Sequence, residues 1–130
     1  MTAEVRQWLD RAEADFISAQ FNLTAPKSNP GLIMFLCQQC VEKLMKGILV
    51  HHGDVPPKTH SLGSLSMRLR RFEPGWEWEE RELVWLTKGA VDFRYPGKGP
   101  DESASKPAFE LTGRLRAALL PLISKSRDST

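Results

Sequence analysis

Only two cysteines and one tyrosine occur among the 130 residues, and no apolar run approaches the roughly 18 needed to cross a bilayer. So little cysteine excludes a disulfide scaffold, and Cys37 and Cys40, set in an apolar helical pattern, suit a reducing cytoplasm. The acidic, amphipathic N-terminus has no signal-peptide profile, which adds to the expectation of a cytoplasmic protein without a membrane partner. A charge excess is lacking too: 18 Lys and Arg face 16 Asp and Glu, and a net +2 gives no strong bulk attraction to nucleic acid or anionic lipid. β-branched apolar residues are scarce, with ten Val and Ile against 16 Leu, and ten alanines add to the helical bias. What is present is 41% apolar and 26% charged, the balance of one soluble globular domain.

Prolines divide the chain, because proline has no amide donor and restricts the residue before it. They stand at Pro26 and Pro30, Pro56 and Pro57, Pro74, then Pro96, Pro100 and Pro107, with Pro121 isolated. Between Ala3 and Leu23 the residues Val5, Trp8, Leu9, Ala12, Phe16, Ala19 and Leu23 fall on one arc of a helical wheel, predicting an amphipathic helix. Ile17 and Phe21 lie off that arc and point to a second contact surface.

The segment from Pro30 to His51 predicts a second helix, with Ile33, Leu36, Cys37, Cys40, Val41, Leu44, Met45 and Ile48 on one half. Gln38, Gln39, Glu42, Lys43 and Lys46 occupy the other half, which Leu32, Phe35 and Leu49 interrupt. Three such apolar residues on a polar face imply that a partner covers part of it. Glu42 and Lys46 are spaced i, i+4 in the favourable order, and Gln38 extends the stripe by one turn.

Thr59 is placed to cap a short third helix ending near Arg71, and Pro74-Gly75 reads as a turn. A fourth helix is expected over 77–93, with Glu77, Glu79, Glu80 and Glu82 near its positive end. Residues 94–100 read as a loop. A fifth helix is expected over 102–123, with Ala104, Ala108, Leu111, Leu115, Ala118, Leu119 and Leu122 on one stripe and Pro121 loosening the last turn. The expected fold is all-α: an up-and-down antiparallel bundle of about five helices over 3–123, followed by a polar tail at 124–130.

Few residue patterns carry chemistry. Cys37-Gln38-Gln39-Cys40 has C-x-x-C spacing, but no second ligand pair stands at zinc-finger distance and no strand precedes it. Both sulfurs fall on the apolar arc, so core packing is their reading. His51 and His52 close a helix before Gly53, where the helix dipole explains them. The loop with Arg94 and Lys98 has the cations and glycines to hold a phosphate, but Gly97-Lys98-Gly99 is not a Walker loop, and a plain connection is the favoured reading. Residues 31–72 carry a local excess of four positive charges, half of the cations being Arg68, Arg70 and Arg71. A solvated helix face accounts for these, with nucleic-acid contact as the other reading.

Taken together, four ordered segments resemble one family. Phe35-Leu36-Cys37-Gln38-Gln39-Cys40-Val41-Glu42-Lys43-Leu44-Met45-Lys46 resembles the second-helix signature of the HEPN domain (higher eukaryotes and prokaryotes nucleotide-binding). Trp8-Leu9 with Ala12, Asp15 and Phe16 is similar to its first helix, Thr59-His60-Ser61-Leu62 to its T-H-x-L step, and Arg94-Tyr95-Pro96 to the end of its fourth helix. The resemblance covers about residues 4–123. It implies a homodimeric helical bundle that binds nucleotide or nucleic acid, often beside a separately encoded small nucleotidyltransferase in a toxin–antitoxin-like pair.

Many members of that family are metal-independent ribonucleases with an R-x4-6-H motif. Arg94 matches the arginine, but Gly99, Pro100 and Asp101 stand where the histidine belongs, and no other arginine has a histidine at that spacing. The expectation is therefore a binding module with no catalytic residue, metal or cofactor assigned. Its candidate nucleotide-binding residues are Gln38, Gln39, Glu42, Lys43, Lys46, His60, Arg94, Tyr95 and Lys98, with Lys46 and Arg94 holding anionic groups and Tyr95 stacking on a base. Two alternatives stay open: a ribonuclease with His60 as a displaced base, and a structural network with Arg94 paired to Glu42.

Overall fold

A threonine hydroxyl starts the first helix: Thr2 Oγ1 accepts from the Val5 amide at 3.2 Å, and α1 runs Ala3–Leu23. The computed structural model describes residues 1–93, 95, 97 and 100–124. Asn29 caps α2 (Pro30–His51) through Leu32 N–H, with Pro30 in the first turn, where its missing donor costs nothing. Gly53, at φ 81°, turns the chain out of α2 in the left-handed region that favours glycine. Then follow α3 (Leu62–Leu69), α4 (Glu80–Asp92), a 3₁₀ turn (Glu102–Ala104) and α5 (Ser105–Ser124). The described residues contain no strand.

Side-chain pairings give the directions. Gly47 and Lys43 of α2 meet Trp8 and Asp15 of α1, so these helices are antiparallel. Gly31 and Met34 of α2 meet Phe93 and Gly89 at the α4 end, again antiparallel. Glu13 and Phe16 of α1 meet Arg116 and Phe109 of α5 in the same sense. The four long helices thus run up, down, up and down, the arrangement that short connections favour. The core comprises Val5, Ala12 and Ala19 of α1, the apolar arc of α2, Leu62, Leu65 and Leu69 of α3, Leu83 and Leu86 of α4, and Ala108, Leu111, Leu115 and Leu119 of α5.

Four expectations need correction. The polar half of α2 is covered by this chain itself: Leu49 is fully buried and Phe35 packs on Phe93, with ring centroids 5.8 Å apart. This chain thus covers Leu49 by itself, while Leu32 and Phe35 stay half-buried. Ser61, not Thr59, caps α3 by accepting from Ser64 N–H, while Thr59 Oγ1 accepts from Ser61 N–H just before it. The fourth helix begins at Glu80 rather than 77, because the preceding tryptophans are spent on packing. Buried Trp76 donates through Nε1 to Ser66 Oγ at 2.8 Å, and Trp78 stacks on it while donating to Glu82. The last helix starts at Ser105, after a 3₁₀ turn in which Asp101 accepts from Ser103 N–H, and it continues through Pro121. Ile17 and Phe21 are exposed on α1.

Candidate functional site

The polar stripe of α2 is a buried relay. Gln38, Glu42 and Lys46 are only 1%, 4% and 8% exposed. A spacing of four residues stacks them on one helix face. Glu42 Oε2 accepts from Lys46 Nζ at 3.1 Å, and Oε1 accepts from Gln38 Nε2 at 3.0 Å. The Gln38 amide also donates to the His60 carbonyl at 2.8 Å, and Gln39 donates to Gln38 Oε1 at 2.8 Å. Oε1 also meets His60 Nδ1 at 2.9 Å and, at 3.5 Å, the Gln39 amide.

The energetics favour an ionised Glu42. Burial raises its carboxyl pKa, yet hydrogen bonds from Gln38, His60 and Lys46, with the Lys46 charge, outweigh that and hold it below the ordinary 4.5. An ionised carboxylate only accepts, so neutral His60 carries its proton on Nδ1 and keeps a bare Nε2. The His60 side chain is 70% exposed, so this nitrogen edge lies in contact with solvent. Gln38 and Lys46 both donate to Glu42, which with Gln38 orients His60, the exposed member of the group.

The other candidate residues separate from this relay. Lys43 turns to α1 and pairs with Asp15 at 2.6 Å. Tyr95 is exposed, and among the described residues no hydrogen bond or ring contact joins it to the relay. It follows Phe93, which packs on Phe35, about two turns or roughly 10 Å along α2 from Glu42. Arg94 and Lys98 lie outside the described residues, as do the Arg94–Glu42 pairing and most of the loop considered for phosphate.

The two thiols are buried core groups. Burial pushes Cys37 up to about 11 and Cys40 to about 12, the latter also raised by neighbouring Cys37. Neither is a ready thiolate for redox work or zinc. No group of three or more His, Cys, Asp or Glu side chains placed to hold a metal occurs among the described residues, and no helix there is long and apolar enough to cross a membrane. At the end of α2, His52 stacks on Phe72 with ring centroids 5.2 Å apart, a packing role beyond the dipole contact expected from sequence.

One arrangement was not foreseen from sequence. Arg68 of α3 grips Asp54 in a two-pronged pair, with Nε 2.6 Å from Oδ2 and Nη2 2.9 Å from Oδ1. The guanidinium hydrogen bonds outweigh the desolvation of Asp54 and hold its carboxyl below the usual range. This clamp ties the 52–61 connection, which carries His60, to α3. The only sequence signal for it was the basic run Arg68, Arg70 and Arg71, which a solvated face explained.

An up-and-down bundle of four long helices with a buried polar relay on its central helix defines an all-α domain of the kind that the sequence resemblance implied. A model of the HEPN domain family matches residues 5–122, nearly the whole chain. The chain belongs to the HEPN domain family. No curated protein and no solved structure matches it significantly.

Proposed function

We propose that this chain is a nucleotide- or RNA-binding HEPN module that works as a homodimer beside a small nucleotidyltransferase, in a toxin–antitoxin-like pair. Family membership supports the ligand class. The observation that carries the site is the exposed His60 imidazole, fixed at Nδ1 by a carboxylate that is itself buried and hydrogen-bonded. In this reading Gln38, Gln39, Glu42 and Lys46 are positioning residues, and His60 meets the ligand. Tyr95, exposed just past the end of α4, is a second contact, Arg94 and Lys98 are assigned to the same ligand from the sequence motif alone, and Lys43 is left to its pair with Asp15.

Calorimetric titration with ATP and GTP, with and without magnesium, tests this. Binding that weakens in His60→Ala supports it, and no heat at millimolar nucleotide overturns it in favour of a purely structural relay. Size measurement of the purified chain tests the homodimer. Co-purification with a nucleotidyltransferase encoded beside it tests the pairing.

The same dyad favours a second reading, a metal-independent ribonuclease. A histidine oriented by a buried carboxylate presents Nε2 as a general base, and such a group contributes about 10²- to 10⁴-fold. RNA cleavage in EDTA that His60→Ala and Arg94→Ala both abolish would replace the binding-module reading with this one.

A further inference from the structure

Beside the His60 segment lies a depression of about 360 Å³ lined by Pro57, Thr59, Ser64, Met67, Arg68 and Arg71, none of them a member of the relay. Its lining has two guanidinium groups, two hydroxyls and no carboxylate. By contrast, the larger hollow between α4 and α5 mixes Arg81 and Arg114 with Glu79, Glu82 and Glu110. We infer that the α3 depression is a phosphate-ester site for a nucleotide, distinct from the His60 edge.

Three features support this. Arg68 is locked in orientation by Asp54 and reaches the Val55 carbonyl through Nη2, which leaves its Nη1 hydrogens held in place and without an acceptor among the described residues. A donor fixed in advance loses less freedom when it meets a phosphate oxygen. Arg71, one turn on, is exposed and has no ion-pair or hydrogen-bond partner among the described residues, and its charge acts on Asp54 only through space, after the Arg68 pair. Thr59 Oγ1 accepts from Ser61 N–H, which leaves its own O–H to donate, and exposed Ser64 adds a second hydroxyl. Four donors therefore converge on one concavity. Met67, 73% exposed, and Pro57 supply apolar surface for the sugar or base that a phosphate ester carries.

This inference rests on the proposed nucleotide ligand but places a phosphate where neither the sequence motif nor the relay does. The test is a titration of the ¹⁵N-labelled full chain with inorganic phosphate, with AMP and with a short single-stranded RNA, followed by amide shifts. All three should move Ser64 and Arg71. AMP matching RNA in affinity identifies a free nucleotide as the source, and RNA binding more than about tenfold tighter identifies a strand; either result keeps the site. Arg71→Gln should weaken AMP binding about tenfold. Arg70→Gln removes the same charge from a side chain outside the lining and should change it by less than about twofold. Equal losses in the two variants would reduce the effect to bulk charge and overturn the site. Shifts confined to His60 and α2 would also overturn it while leaving the proposed function intact, and no shift with any probe at millimolar concentration overturns both.

Discussion

The carboxylate of Glu42 holds the imidazole of His60 at 2.9 Å across the gap between α2 and the start of α3. One partner is almost fully buried and the other mostly exposed. The pair therefore joins the interior to the surface: whatever fixes Glu42 also fixes the His60 ring. Gln38 strengthens this by holding the His60 carbonyl with the same amide that holds Glu42.

Glu42→Ala should cost about 3 kcal/mol, because it leaves the Lys46 ammonium buried without its counter-charge. Glu42→Gln combined with Lys46→Met should recover part of the loss, since it removes both charges. Urea denaturation of the three proteins checks this. The pH dependence has a definite sign. A carboxyl whose folded pKa lies below its unfolded 4.5 gives stability that is complete above about pH 4.5 and is lost as pH falls through the folded value. Wild type should lose this contribution on acidification below pH 4.5, and the Gln variant should not.

His60→Gln should change stability by less than about 1 kcal/mol, because the imidazole is mostly exposed. Its signature is spectroscopic. Long-range ¹H–¹⁵N spectra of the neutral ring should show the proton on Nδ1 and a bare Nε2. Glu42→Gln, which can rotate to offer either its oxygen or its amide, should shift the population toward the other tautomer. A ring in the Nε2–H form in wild type would contradict the orientation described above.

What the sequence made legible was local. The start of α2 follows from Pro30 and its end from Gly53, signals that act within one turn, while the Thr2 and Asn29 caps emerge only in the structure. The wheel of α2 separated its apolar arc from the Gln38–Glu42–Lys46 stripe, but a wheel shows only that a face is polar. Whether water, a partner or α3 covers that face depends on tertiary packing. The same limit explains the fourth helix: Trp76 and Trp78 suit a helical pattern, yet their indole N–H bonds to Ser66 and Glu82 favour a non-helical lead-in. Thr59 and Ser61 are equally good caps by type, and the Thr59 hydroxyl is taken by Ser61 N–H. For the Arg68–Asp54 clamp, fourteen residues apart, no periodic signal exists.

Cys37 and Cys40 should resist thiol reagents in the native protein. Both are buried, and with pKa values near 11 and 12 almost no thiolate exists at pH 8. Labelling with a chromogenic disulfide should be slow without denaturant and complete in urea, with its rate following unfolding. Rapid labelling of both thiols in folded protein would contradict their core placement.

Gly89→Ala tests how closely α4 lies on α2. A methyl group built at Gly89 would stand 2.6 Å from Cγ, 2.8 Å from Sδ and 2.9 Å from Cε of Met34, whose side chain is only 1% exposed. Alanine would favour the helix by about 1 kcal/mol over glycine. The overlap with an enclosed side chain costs about 1–3 kcal/mol, so the expected net effect is destabilising by up to about 2 kcal/mol. Because Cγ sits near the root of the methionine side chain, a change of rotamer at the tip cannot clear all three contacts. Met34→Ala alone opens a cavity, at about 2–5 kcal/mol. In the double variant the new methyl occupies part of that space, so the two losses should fall short of their sum by more than about 0.5 kcal/mol in a denaturation cycle. Strict additivity would mean that the helices are not in contact at this point.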